Sequence, residues 1–173
     1  MTNLKIEQLM KELEKRMGAY TKENLLQYDE ASQLWYLRTF FSVYPDYSAN
    51  VLVQSFVMEL KKGMPQIEIT VVLTNDVKEG TEAELEKAAG ELNYISPAGA
   101  FGLRRELNRF YLRNCWPLDE KKQTEELADT VEIYYEMMME AVQGGYFGLC
   151  KIWNGEMDYE QTVKEHLLNR APV

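Results

Sequence analysis

Histidine and cysteine are nearly missing from this chain, with one His and two Cys among 173 residues. His166 stands in the charged stretch Lys164-Glu165-His166. It has no second histidine for a zinc site and no evident nucleophile to serve, so it reads as a histidine on a solvated helix surface. Cys115 and Cys150 belong to no CxxC or metal-ligand spacing. Two free, buried thiols fit a reducing compartment, and a cytoplasmic protein is expected. Glycine-rich phosphate loops, GxSxG elbows, HExxH pairs and EF-hand ligand sets are all missing. The expectation is therefore no catalytic residue, no cofactor and no metal.

Basic charge is scarce as well. Nineteen Lys and Arg face 28 Asp and Glu, a net charge of −9, and the sequence pI is near 4.8. Such a chain repels a phosphate backbone, so nucleic acid is not expected as a partner. Long apolar runs are lacking too. The uncharged stretch Tyr47–Met58 is as long as any, well short of the ~20 residues of a membrane-crossing helix. Glu7, Glu12 and Glu14 stand where a secretory leader would need its apolar region. Neither a membrane partner nor a leader is expected.

What remains is the composition of an ordinary globular domain, 46 % hydrophobic and 27 % charged. A chain of this length buries roughly 70 % of its unfolded surface and needs no disulfide or metal staple. One domain over 1–173 is expected, with a core at about 4–143 and a helical extension at about 146–173.

Ile6, Leu9, Met10, Leu13, Met17 and Tyr20 recur with the period of an amphipathic helix over 4–20. From Leu34 to Asn75 aromatic and β-branched residues take over in three runs, about 34–44, 51–60 and 66–74. Pro45-Asp46 and Lys61-Lys62-Gly63 separate them. In the third run Ile67, Ile69, Val71 and Leu73 alternate with Gln66, Glu68, Thr70 and Val72, a strand with one buried face. The second run fits a helix face as well, through Leu52, Phe56 and Leu60. Short connections favour an antiparallel meander. Thr81-Glu82-Ala83-Glu84 has the form of a capping box before a helix to about Leu92. After Pro97 and Gly99, the aromatic block Phe101–Trp116 fits a hairpin turning near Glu106–Asn108, or a helix.

The most explicit element is a helix over about 125–143. Leu127, Val131, Tyr134, Met138 and Val142 share one face, and Glu125, Asp129, Glu132, Glu136 and Glu140 the opposite one. Thr124 is the expected N-cap and Gly144-Gly145 the expected stop. Leu127, Val131, Tyr134 and Met138 should be buried while Glu132, Glu136 and Glu140 stay wet. A tail helix is expected after Asp158, whose capping partner would be Gln161. The fold class is thus α+β: an antiparallel sheet of a three-strand meander plus a hairpin, flanked by an N-terminal, a middle and a long C-terminal helix.

No Lys or Arg occurs between Lys122 and Lys151, while six acids do. Arg104, Arg105, Arg109 and Arg113, interleaved with Phe110, Tyr111 and Trp116, offer a counterweight, so the stripe is expected to be neutralised by them or simply solvated, the alternative being a basic partner segment docked on it. Surfaces that mix arginine with aromatics also serve protein interfaces and anionic ligands. Ile133, Met137 and Met139 widen the apolar face of the long helix beyond the usual stripe, which fits a broad core contact first and an adaptable interface second. Arg105, Arg109, Ile133 and Met137 are the candidate partner-binding residues.

The order helix, three strands, helix, two strands, helix resembles the α+β domain of class I type III secretion chaperones and the related YbjN-type proteins. The likeness lies in layout, and residues 146–173 are an addition to it. It implies non-enzymatic protein binding, as a homodimer. The function expected is accordingly a protein-interaction or chaperone-like domain, the alternative being an anionic-ligand binding domain or an enzyme with an unrecognised site.

Overall fold

A computed structural model describes residues 1–21, 23–44, 50–59, 63–96 and 98–168. The α+β fold comprises helix α1 (Asn3–Met17), strands β1 (Asn24–Asp29), β2 (Leu34–Ser42), β3 (Asn50–Glu59) and β4 (Pro65–Thr74), and helix α2 (Glu82–Ile95). Strands β5 (Ala100–Arg104) and β6 (Arg109–Pro117), the long helix α3 (Thr124–Trp153) and the short helix α4 (Tyr159–Lys164) complete it. All strand pairs are antiparallel, in the order β1-β2-β3-β4-β6-β5.

The alternation in β4 does what its pattern requires. Ile67, Ile69, Val71 and Leu73 are buried, and the register carries that face across the sheet through Val53 and Val57 on β3, Leu37 on β2 and Leu112 on β6. The second run is a strand, because Val51, Val53, Ser55 and Val57 all point into the core. The block 101–116 is a hairpin. It turns through one 3-10 turn at Arg105–Leu107 and a left-handed Asn108, φ 52°, a conformation that asparagine tolerates better than most residues. Lys22, Pro45, Asp46, Leu60, Lys61, Lys62 and Pro97, expected at turns, run ends or exits, lie outside the described residues.

Helices α1, α2 and α3 cover the core face of the sheet. Leu9, Met10, Leu13 and Met17 of α1 are buried, and α1 packs on β1, β2 and α3. From α3 Tyr135 reaches the sheet, its phenol 2.5 Å from Ser55 Oγ, while Tyr134 stacks on Trp116 with ring centres 4.4 Å apart. Leu127, Val131 and Met138 are buried as expected. Tyr135 is buried where Tyr134 was expected to be, since the residue one position on lies nearer the centre of the inner arc. Among the described residues no helix is long and apolar enough to cross a membrane.

Four local expectations need correction. Strand β1, at the edge of the sheet, had no distinct sequence signal. The Thr81 hydroxyl donates to Lys78 O rather than capping α2, and Glu84 accepts from the Tyr159 amide. At the start of α3 the N-cap is Gln123, whose amide donates to Glu126 Oε2 at 2.9 Å. Lastly, Gly144-Gly145 does not end α3, which runs on to Trp153. Gly145 lies under Leu92 of α2, where an added Cβ would come within 3.0 Å of Leu92 Cδ1. At Gly148 it would come within 2.6 Å of Leu168 Cδ2 and 2.9 Å of Leu167 O. Glycine costs a helix interior about 1 kcal/mol each, and here it gives close approach to α2 and the C-terminal turn. Leu149, Ile152, Trp153 and Leu168 accordingly join the same core as Leu9. The tail cap is as expected, with Asp158 accepting from the Gln161 amide at 2.8 Å.

Candidate interaction surface

A sheet has two faces and two edges, and a partner can use whichever the fold leaves free. Each edge is met at one residue by a helix side chain. Glu14 of α1 accepts from the Leu26 amide of β1 at 3.3 Å. At the other end Asn93 of α2 mimics a neighbouring strand: its Oδ1 accepts from Phe101 N at 2.6 Å and its Nδ2 donates to Phe101 O at 3.0 Å. Such contacts blunt an edge against strand addition. The core face is under the helices. Among the described residues the second face is uncovered.

The ladder registers define that second face in rows across the strands. One row runs Phe40, Leu52, Val72, Tyr111, Gly102, where Gly102 leaves room for the Tyr111 phenol (an added Cβ would lie 2.9 Å from its oxygen). The next runs Leu25, Arg38, Gln54, Thr70, Arg113, Ala100. The third runs Gln27, Tyr36, Phe56, Glu68, Cys115, with the Tyr36 and Phe56 rings 5.1 Å apart. Leu25 and Phe40 are 53 % and 42 % exposed, and Tyr36, Leu52, Phe56 and Tyr111 are half-buried. Aromatic and aliphatic bodies therefore alternate with polar heads over an open surface.

One acid is buried in this face. Glu68 is 7 % exposed and accepts from Arg113 Nη2 at 2.6 Å, from Thr70 Oγ1 at 3.4 Å and from the Cys115 thiol at 3.7 Å. The bond to Glu68 raises the Arg113 guanidinium above its ordinary value. Burial, followed by the nearby Glu68 charge, pushes the Cys115 thiol up. Burial does the same to Cys150. Both therefore stay protonated at neutral pH, where a reactive cysteine needs the thiolate. Among the described residues no group of three His, Cys, Asp or Glu could hold a metal ion.

The four candidate residues do not meet. Arg109 belongs to the uncovered face, on β6 opposite Arg104, and donates to Asn75 Oδ1 at 2.7 Å. Arg105 lies in the hairpin turn and pairs with Glu86 of α2 at 2.7 Å. Ile133 and Met137 lie on α3, over the other side of the sheet, with Ile133 54 % exposed and Met137 half-buried. Nor are the arginines of 104–113 the counter-ions of α3. That role falls to Arg16, which bonds Asp129 at 2.5 Å and Glu132 at 2.7 Å. Asp129, then Glu12 and Glu132, raise its guanidinium, and Arg16 in turn lowers Glu12. Glu132 is thus half-buried and paired, whereas Glu136 and Glu140 are exposed as expected. His166 is exposed too.

Arg38 is the residue that sequence reasoning missed. It makes no hydrogen bond or ion pair among the described residues, and it sits between Tyr36 and Phe40 on β2, one strand in from the β1 edge of the uncovered face. Two clefts open elsewhere. One, of about 520 Å³, lies between the start of α1 and the β1–β2 turn, against Leu4, Ile6, Tyr28 and Trp35. The other, of about 200 Å³, lies between α1, β2 and α3, against Met17, Phe41, Tyr135 and Met139. No arginine lines either cleft. Comparison with models of protein families, with curated proteins and with solved structures finds no match to this chain.

Proposed function

We propose that this chain is a non-enzymatic protein-interaction domain, in the manner of a binding or chaperone-like module, and that it binds through the uncovered face of its sheet. The observation that carries the reading is that face itself, with Leu25, Tyr36, Phe40, Leu52, Phe56 and Tyr111 left partly exposed in one contiguous area. Contiguous apolar ground rimmed by polar groups marks interfaces more often than idle surface. The blunted edges and the helix-covered core face direct a partner to the same place. Homodimerisation, which the layout implied, would set Arg38 and Arg113 against their own copies if it used this face. A two-fold contact is proposed instead through the exposed flank of α3 around Ile133.

A photo-crosslinking amino acid at Phe40, compared with one at Tyr94 on α2, which is 92 % exposed, tests the assignment. A discrete protein adduct at position 40 and none at 94 is expected in native lysate. Adducts of equal yield at both positions, or at neither, refute the reading. Light scattering checks the dimer: a mass fixed near 20.2 kDa over a wide concentration range rules it out.

A further inference from the structure

Resting on that reading of the uncovered face, we infer the chemistry of its occupant: an acidic segment of a partner protein, with apolar side chains set between its carboxylates. Charge placement carries the argument. The chain holds −9 overall. Yet the strand residues turned away from the helices include Arg38, Arg104, Arg109 and Arg113 against Asp29 and Glu68 only, a balance of +2. The other 15 bases and 26 acids of the chain leave −11 everywhere else. A protein short of basic charge has gathered it on the face that its own helices leave open, and such placement selects an anion.

The pattern also selects among anions. Two of the four guanidiniums are already paired, Arg104 with Glu106 and Arg113 with Glu68. Arg109 is bonded to the neutral Asn75, and Arg38 is free among the described residues. Arg113 lies in the row of Arg38, three strand spacings away, about 14 Å at ~4.8 Å per strand, and Arg109 stands four residues farther along β6. A phosphate backbone draws its affinity from many neutralised charges at once, and two separated cations inside a −11 surround offer little of that. Separate carboxylates on a peptide suit separate guanidinium forks. Between them Phe40, Leu52, Phe56 and Tyr111 give apolar ground for the side chains that alternate with those carboxylates.

Fluorescence anisotropy on the full chain decides the matter with three labelled probes. They are a peptide alternating Glu with Leu and Phe, the same peptide with Lys for Glu, and an oligothymidylate of equal length. The Glu peptide should bind, weaken about ten-fold or more with Arg38→Glu, and be indifferent to Glu136→Gln on α3. Arg38 is half-buried at the surface, and Arg38→Gln, with circular dichroism on both variants, separates lost charge from lost fold. If the Lys peptide binds instead and Phe40→Ala weakens it, the face remains a docking surface and the acidic occupant is overturned. If the oligothymidylate binds more tightly than the Glu peptide, nucleic acid is the occupant and the inference fails. If no probe binds, or Arg38→Glu and Phe40→Ala change nothing, both the inference and the reading it rests on fall.

Discussion

The buried pair Ser55–Tyr135 offers the sharpest test of how α3 is seated on the sheet. Ser55 is 0 % and Tyr135 4 % exposed, and their oxygens lie 2.5 Å apart. Tyr135→Phe leaves the Ser55 hydroxyl buried without its partner, at a cost of about 1–3 kcal/mol. Ser55→Ala does the same to the phenol, while removing both groups together is nearly neutral. A double-mutant cycle by urea denaturation at pH 7 should therefore show strong coupling between the two positions. The pH dependence adds a second signature. Burial pushes the Tyr135 phenol up to about 12, against the ordinary phenol value of 10.0 in the open chain. A raised folded value means stability that is fully present below pH 10 and is lost as pH climbs towards 12. The loss is about 1.4 kcal/mol per pH unit, as the unfolded chain ionises and the folded one does not. Tyr135→Phe lacks that loss, so the gap between it and the natural chain should narrow between pH 10 and pH 12. If the single substitutions simply add in the double variant, or if the gap stays constant with pH, the pair is not buried as described and α3 sits differently on β3.

Three further outcomes are expected. Gly148→Ala should lower stability by about 1–3 kcal/mol, because its Cβ meets Leu168 and Leu167 O. Gly90→Ala, in α2 with nothing within 4 Å, should raise it by roughly 0.5–1 kcal/mol; thermal melts of the two distinguish a packed glycine from an idle one. Met138→Ala, at a 0 % exposed position, should cost about 2–5 kcal/mol, whereas Glu136→Gln should stay within about 0.5 kcal/mol, both read by urea denaturation. Arg16→Gln should destabilise the α1–α3 contact by removing the cation shared by Asp129 and Glu132, and chemical denaturation should show the deficit shrinking in 1 M salt, on the order of the screening expected there.

The sequence announced those elements whose burial is one-sided. The alternation of β4 and the opposed arcs of α3 each contrast an apolar with a polar face, and one orientation satisfies both. Where both sides of an element carry apolar residues the pattern goes silent. In β2, Trp35, Leu37 and Phe41 face the helices while Tyr36 and Phe40 face away, so periodicity identified a strand without saying which aromatics were core. That is why Arg38 was missed. Edge strand β1 was missed for the related reason that its burial is slight and irregular. The glycines at 145 and 148 were legible as glycines only. Whether a helix stops or is notched for a neighbour depends on Leu92 and Leu168, which lie far away along the chain. Counter-ion assignment failed likewise, because Arg16 reaches α3 only after α1 has folded back across more than a hundred residues.

These long-range side-chain contacts give the surface its character. Strand addition needs free backbone groups, and Glu14 and Asn93 engage those of Leu26 at one edge and Phe101 at the other. Polyanions meet the −11 that lies off the sheet, of which Glu136 and Glu140 on α3 are unpaired among the described residues. Only the uncovered face combines apolar area with positive charge. Even there the charge is rationed, because Glu68 holds Arg113 and Glu106 holds Arg104. On the proposed reading, what would reach a partner is the guanidinium of Arg38, free among the described residues, amid Tyr36, Phe40 and Leu25, with Arg109 at the hairpin end. A few placed cations on an apolar ground discriminate among partners by where their carboxylates fall, whereas a dense basic patch would accept any polyanion. On this reasoning Glu68 is buried in an otherwise open face because it keeps the charge of that face low and its positions few.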